Sequence, residues 1–344
     1  MTMRAARLLR HEGIDGIAIE SVAMPERRPG EVLVRLDAAC LNRVDLYIAG
    51  GGAGITHELP MILGVDGAGE IVECDPGETL LSAGQKVVIY PGLWCGRCEF
   101  CRRGDPVLCT RLRLIGEHRD GTFAEYISVP AVNLFPVPSG WTALEAAALP
   151  VAGLTAWRML VTKGQLRPGQ TVLIFGIGGG VSLAALQIAR ALGAETIVTS
   201  SSEAKLVRAR ELGALHTIDH AKEDVLKRVM AITGGRGVDL VVENVGKATW
   251  DIAMRAVVRG GCIVTCGATT GGNPSADLQR LFIRQIEVLG STLGNPGEFA
   301  DLLKAAERGL FRPVIDAEFS LAEVPEALRR LEQGLQLGKI AIQI

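Results

Sequence analysis

A chain of 344 residues exceeds what one small core requires, and its length favours two domains of one to two hundred residues each. Hydrophobic residues make up 48% and charged residues 22%, which is the balance of a globular protein and excludes a disordered one. The net charge of -2 arises from interleaved acidic and basic residues. No basic stripe is available to neutralise a phosphate backbone, so nucleic acid is not an expected partner.

The opening stretch "MTMRAARLLRHEGIDG" meets charge within a few residues and builds no apolar signal-peptide core, so a cytoplasmic location is expected. Short β-rich runs follow, punctuated by Gly and Pro: 31–40, 67–74, 84–92 and 123–130. Several alternate with the period of two that marks half-buried strands, which predicts a compact β domain with irregular loops.

Within this region "GLWCGRCEFCRRGDPVLCT", residues 92–110, brings Cys95, Cys98, Cys101 and Cys109 into one loop. Their spacing, C-x2-C-x2-C-x7-C, matches neither a ferredoxin run nor a redox pair. Zinc is the expected ion. Four thiolates saturate a tetrahedral zinc and leave no position for water or substrate, so one structural Zn2+ is predicted. Cys40, Cys74, Cys262 and Cys266 stand apart and read as buried small hydrophobes.

The run at 143–157 is apolar, but it carries Glu145, Pro150 and Gly153 and falls short of the ~20 residues of a membrane helix, so no membrane association is expected. From about Val151 the texture changes to apolar strands alternating with helical patterns. The strands fall at 171–176, 196–200, 216–219, 238–246, 261–268 and 286–292, which predicts an α/β unit with a doubly wound parallel sheet of Rossmann type. Amphipathic helices at 297–309 and 323–333 and a closing strand "GKIAIQI" complete the chain.

The first of these strands runs into a turn holding Gly176, Gly178, Gly179 and Gly180, with Val181 or Ser182 at the place of a last glycine. Glycines there admit the backbone to a pyrophosphate, and the N-terminal amides of the next helix meet its charge. About 20 residues on, an acidic side chain usually takes the ribose hydroxyl of NAD. Here Ser200, Ser201 and Ser202 are neutral donors backed by Lys205 and Arg208. NADP(H) is therefore expected, with NAD(H) possible through Glu203. Ser200 and Glu203 also have the spacing of a capping box.

Taken together, a glycine-rich β domain with a four-cysteine lobe, then a nucleotide-binding domain and a short return, resembles the medium-chain dehydrogenase/reductase superfamily of zinc alcohol dehydrogenases and quinone oxidoreductases. "LPMILGVDGAGEIVE", "GTFAEYISVP", "GLTAWRML", "CGATTG" and the closing "GKIAIQI" match it as well, and the likeness covers essentially the whole chain. It implies a GroES-like catalytic domain over 1–151 and 293–344 and a Rossmann domain over 152–292. It also implies Thr155, Gly267, Ala268 and Thr269 beside a nicotinamide, and a homodimer joined through the strand at 286–292, whose open edge could pair with a second copy.

Zinc-using members of that superfamily hold a second, catalytic zinc through a Cys in C-x-x-D, a His in G-H-E and a Cys before A-G-x-T. This sequence has Asn42 through Asp45, Gly64-Val65-Asp66 and Val151-Ala152-Gly153 at those places, so all three ligands are replaced. An alcohol dehydrogenase would thereby lose its Lewis acid. Hydride addition to an activated C=C bond or a quinone spreads charge that ordinary donors can meet, so NADPH-dependent reduction of a small-molecule substrate of that kind, a quinone, enone or enoyl compound, is expected without a catalytic zinc. Asn42 and Tyr47 would be donors to it, Asp45 would orient them, and His118 is an alternative acid. Two other readings remain: an alcohol dehydrogenase that has rebuilt its metal site from Asp66, His57 or His118, and a non-enzymatic NADPH-binding protein.

Overall fold

The computed structural model describes residues 1–52, 57–75 and 81–344. The chain divides into two compact units, one formed by Met1–Ala152, Asn295–Glu307 and Pro313–Ile344, the other by Gly153–Gly294 and Arg308–Arg312. Among the described residues no helix is long and apolar enough to cross a membrane.

The first unit is built on a seven-stranded sheet whose centre is the strand Glu31–Cys40. Its residues are almost all buried, as expected of a strand covered on both faces. On one side Asp66–Glu73 pairs with it antiparallel, setting Cys40 against Asp66. On the other side the C-terminal strand Lys339–Gln343 pairs with it antiparallel, setting Ala341 against Cys40. Carrying that register two residues further puts Lys339 opposite Asn42, and the Leu41 amide indeed donates to the Ile340 carbonyl at 3.0 Å. Residues nearly 300 apart in sequence are thus fixed at one end of the sheet by backbone pairing. The expected strands at 31–40, 67–74 and 123–130 appear as Glu31–Cys40, Asp66–Glu73 and Tyr126–Pro130, and that at 84–92 as the shorter Lys86–Ile89.

The second unit is a six-stranded parallel sheet. In sheet order its strands are His216–Asp219, Glu195–Ser200, Thr171–Ile174, Val238–Glu243, Val257–Thr265 and Glu287–Gly290, so numbering them along the chain gives 3-2-1-4-5-6. This is the expected Rossmann arrangement, with the reversal of strand order at Thr171–Ile174. Leu173, Phe175, Ile197, Ile218, Val241 and Ile263 form its core with the crossover helices. The helices anticipated at 297–309 and 323–333 are Pro296–Glu307 and Val324–Glu332.

Candidate functional site

Asn42 sits at the N-terminus of the short helix Arg43–Ala49, where its backbone amide donates to Asp45 Oδ2 at 2.7 Å. This is half of a capping box, and it aims the Asn42 side chain back toward the sheet. There its Oδ1 accepts from Lys339 Nζ at 2.6 Å, and its Nδ2 donates to Asp66 Oδ2 at 2.8 Å and to the Cys40 carbonyl at 3.4 Å. Lys339 Nζ also donates to Asp66 Oδ2 at 2.9 Å, and the Val151 amide donates to Asp66 Oδ1 at 2.9 Å. Asp66 is wholly buried, whereas Lys339 and Asn42 keep 4% and 8% exposure.

These contacts answer two expectations. The segments around 42, 64–66 and 151 do converge, but what they enclose is an ammonium. Val65 and Val151 offer no lone pair and the Asn42 oxygen is turned to a cation, so the residues do not fit a catalytic zinc. Asp66, His57 and His118 do not assemble a replacement either: among the described residues, the group of side chains close enough to share an ion is the four-cysteine cluster. The expected role of Asn42 as a donor to substrate does not fit, because Asp66 and the Cys40 carbonyl take both hydrogens of its amide.

Asp45, expected to orient the site, is fully buried, and its Oδ1 has no hydrogen-bond partner. Burial pushes its carboxyl up to about 7, against the Asn42 amide that favours the charged form. Burial likewise pushes the Cys40 thiol up to about 12, which makes it an inert neighbour. Tyr47 is 49% exposed on the helix Arg43–Ala49. His118 accepts from the Leu114 amide at 3.2 Å through Nδ1 and faces a cleft with Cys95, Arg111 and Arg113, beside the thiol loop. Lys339 lies in the closing "GKIAIQI", a stretch that matches the family but to which the sequence reading assigns no part in the site. It is also a charged residue opening the strand "KIAIQ", whose first four residues are all buried.

In the cysteine loop the four sulfurs lie within 4.8 Å of one another. Cys98 and Cys101 are 3.4 Å apart, and Cys95 and Cys101 3.9 Å. Four sulfurs at ~2.3 Å from a tetrahedral zinc would be about 3.8 Å apart, so the cluster fits the ion. Backbone amides of Arg97 and Cys98 pull the Cys95 thiol down to about 6, while burial holds Cys101 up near 12. Four clustered thiols cannot all ionise without a cation among them.

In the nucleotide-binding unit, Gly176 adopts φ +65, a left-handed conformation open to glycine. A Cβ on Gly178 would fall 2.8 Å from the ammonium of Lys205, so that ammonium lies directly over the turn. The helix Gly180–Ala191 begins there, with Gly180 and Val181 in its first turn. Ser202, not Ser200, caps the next helix by accepting from the Lys205 amide, while Ser200 Oγ accepts from the Ser202 amide at 3.1 Å. Glu203 and Arg210 form an exposed ion pair at 2.6 Å. Gly267, Ala268 and Thr269 form a loop beyond Val257–Thr265. Thr269 Oγ1 donates to the Val245 carbonyl at 3.3 Å, which ties that loop to the one after Val238–Glu243. The buried Glu243 carboxylate, absent from the sequence expectations, accepts from the Val245 and Gly246 amides and from Thr249 Oγ1. Thr155 is buried in the helix Leu154–Trp157.

Residues 28–139 match the family described as "Alcohol dehydrogenase GroES-like domain", and residues 180–308 that described as "Zinc-binding dehydrogenase". The chain is 34% identical to an alcohol dehydrogenase of Geobacillus stearothermophilus over 95% of its own length and 96% of that protein. It is 30% identical to an NAD-dependent alcohol dehydrogenase of Saccharolobus solfataricus, covering 98% of this chain and 99% of the other. A solved structure of an NAD-dependent alcohol dehydrogenase is 40% identical with a TM-score of 0.96, covering 99% of this chain and 100% of that one.

These likenesses overturn the expectation of a C=C or quinone reductase, since the relatives just given are named alcohol dehydrogenases at 30–40% identity, whereas a solved crotonyl-CoA carboxylase/reductase matches the whole chain at 26% identity with a TM-score of 0.93. That expectation inferred from three missing ligands that no strong positive charge faced the substrate. Lys339 Nζ lies against two of the segments that would have supplied them, 2.6 Å from Asn42 Oδ1 and 2.9 Å from Asp66 Oδ2.

Proposed function

Since the chain belongs to the medium-chain dehydrogenase/reductase superfamily, alongside the zinc-type alcohol dehydrogenases, we propose that it interconverts a small alcohol and its aldehyde or ketone with a pyridine nucleotide. The observation that carries this reading is full-length likeness to alcohol dehydrogenases at 34% and 40% identity. A nicotinamide, when bound, supplies the hydride chemistry. The chain's part is to bind and orient. Gly176, Gly178, Gly179, Gly180 and Val181 would take the pyrophosphate at the start of the helix Gly180–Ala191. Thr155, Gly267, Ala268 and Thr269 would flank the nicotinamide.

For the nucleotide we favour NADP(H). Ser200, Ser201 and Ser202 leave no carboxylate free at the end of Glu195–Ser200, and Lys205 lies over the glycine turn. Both features suit a 2′-phosphate. Cys95, Cys98, Cys101 and Cys109 would hold one zinc that braces the loop and takes no part in the reaction.

A homodimer also fits. Glu287–Gly290 ends its sheet, and the preceding helix Leu278–Arg284 exposes Leu278, Phe282 and Ile283. An open edge beside an apolar patch is a surface that a second copy can cover.

The test is nucleotide reduction with a panel of primary and secondary alcohols, and nucleotide oxidation with the matching aldehydes and ketones. Turnover of alcohols is expected. Turnover of enones or quinones alone would sink the reading.

A further inference from the structure

We infer that the cleft beside the thiol loop binds a small organic oxyanion, with its phosphate or carboxylate head held by Arg111 and Arg113 and its apolar part lying along the adjoining wall. This site is separate from the alcohol–carbonyl chemistry above and does not depend on it.

The run Arg111-Leu112-Arg113-Leu114 follows the last cysteine of the loop and alternates charged with apolar residues. Both arginines are exposed and both leucines half-buried. The backbone fixes the run at each end. The Arg111 amide donates to Cys109 Sγ at 3.3 Å, and Arg113 lies opposite Leu93 in the short ladder of Gly92–Leu93 with Arg113–Leu114. Together with Cys95, Leu112 and His118 the two arginines line a cleft of about 450 Å3, and no carboxylate is among its lining residues.

Three arginines of the adjoining surface are neutralised in place, Arg7 by Glu20, Arg27 by Glu73 and Asp75, and Arg119 by Glu31. Among the described residues neither Arg111 nor Arg113 makes such a pair. A guanidinium presents its donors as a planar fork that meets two oxygens of a phosphate or carboxylate at once. His118 supplies a further donor. Its Nδ1 accepts from the Leu114 amide at 3.2 Å, which puts the hydrogen of the neutral ring on Nε2, and Glu117 Oε1 at 3.8 Å is too distant to take it. A zinc on four thiolates is a dianion, but the five arginines of residues 95–113 outnumber Glu99 and Asp105 by three, so the loop keeps a positive balance.

Arg113 and His118 also line a second cleft of about 940 Å3, so the two clefts meet at these residues. Apolar Met3, Val22, Ile62 and Leu93 are among its walls. Glu26 and Asp120 line it too, which places an anionic head at the Arg111 and Arg113 end and the apolar part along Leu93. An apolar wall with a few convergent polar groups, in a concavity of this size, is the usual form of a small-molecule site.

The test is isothermal titration of the full chain with phenyl phosphate, benzoate, inorganic phosphate and, as an uncharged control, benzamide. Phenyl phosphate or benzoate should give a saturable isotherm that weakens as salt is raised, and the tighter of the two identifies the head group. Inorganic phosphate, which lacks the apolar part, should bind about tenfold more weakly than phenyl phosphate, and benzamide should not bind. Arg111→Gln/Arg113→Gln should weaken the tighter ligand about tenfold or more, as loss of charge-assisted hydrogen bonds predicts. Because both side chains are exposed, the melting temperature and turnover of this variant should match wild type. Lys205→Ala should leave the isotherm intact, which separates this site from the glycine turn under that lysine.

No saturable isotherm with either organic anion would overturn the inference, and so would one that the double variant leaves unchanged. Benzamide binding as tightly as benzoate, or inorganic phosphate as tightly as phenyl phosphate, would do the same. An isotherm lost in Lys205→Ala and kept in the double variant would assign the anion to the nucleotide site instead. None of these outcomes bears on alcohol oxidation, which turnover alone decides.

Discussion

Lys339 Nζ lies 2.9 Å from Asp66 Oδ2, and the two side chains are 5% and 0% exposed. Breaking a buried ion pair on one side leaves a charge without compensation, at a cost of about 3–5 kcal/mol, while replacing both partners is often neutral. Lys339→Met alone is therefore expected to destabilise the protein by roughly that amount. Adding Asp66→Asn should recover most of it, because the neutral amide side chain introduced there can still meet the Asn42 side chain and the Val151 amide. Denaturant unfolding of wild type, single and double variants measures this, and a single variant as stable as wild type would contradict the pairing.

The thiol loop gives a second expectation. If Cys95, Cys98, Cys101 and Cys109 hold a zinc, losing one ligand weakens the ion and loosens the lobe, since metal binding and folding are linked. Cys109→Ser should lower zinc content below one per chain and cost about 2 kcal/mol, or roughly 4 °C in the first melting transition. Activity per folded molecule should change little. Loss of turnover in step with zinc, without loss of fold, would show that the lobe's ion does more than brace it.

The contrast between these two sites shows what sequence carries. The cysteine loop is local: four ligands within fifteen residues, legible from spacing alone. The Rossmann sheet is also local in each βα unit, and its strand run and glycine turn are where the pattern puts them. The Lys339 site depends instead on register between strands that begin at residues 31, 66 and 339. The closing "GKIAIQI" matches the family as a stretch, but its residues alone do not say which strand it pairs with. Reading Asn42 as a lost ligand was correct as a substitution and misleading as chemistry, because the group that takes its oxygen is nearly 300 residues away. The capping serine was misassigned by two positions for a smaller reason, since Ser200, Ser201 and Ser202 are equivalent in pattern and only the backbone path selects Ser202.

The proposed NADP(H) preference can be tested at Lys205, whose ammonium lies over Gly178. Lys205→Ala should raise the KM for NADP+ about tenfold or more and leave that for NAD+ nearly unchanged, as removing one charge-assisted hydrogen bond predicts. Ser200→Asp should shift preference the other way by repelling the 2′-phosphate. Steady-state kinetics with the two nucleotides distinguish these outcomes, and equal effects on both would remove Lys205 from phosphate recognition.

Assembly can be tested at Phe282, which is 67% exposed beside the edge strand Glu287–Gly290. A buried charge in an apolar interface has no partner there. Phe282→Glu should convert a dimer to a monomer by light scattering while the melting transition of an isolated chain stays in place. A wild-type monomer would dispose of the dimer directly.

The last expectation concerns pH and Asp45. Its carboxyl titrates near 7 in the folded chain, raised chiefly by burial, against about 3.8 as the ordinary value. The folded state therefore binds more protons than the unfolded state between those two values, so stability falls as pH rises through that interval. Below about 3.8 both states are protonated and the penalty vanishes. Above about 7 it is complete, at up to ~4 kcal/mol. Asp45→Asn cannot ionise, and its carbonyl can still accept from the Asn42 amide. The variant should thus gain on wild type progressively from pH 4 to 7 and hold a constant advantage above it. Unfolding free energies of both proteins across pH 4 to 8 give the difference curve, in which the contributions of other groups cancel. A flat difference would mean that Asp45 is charged throughout in the folded protein.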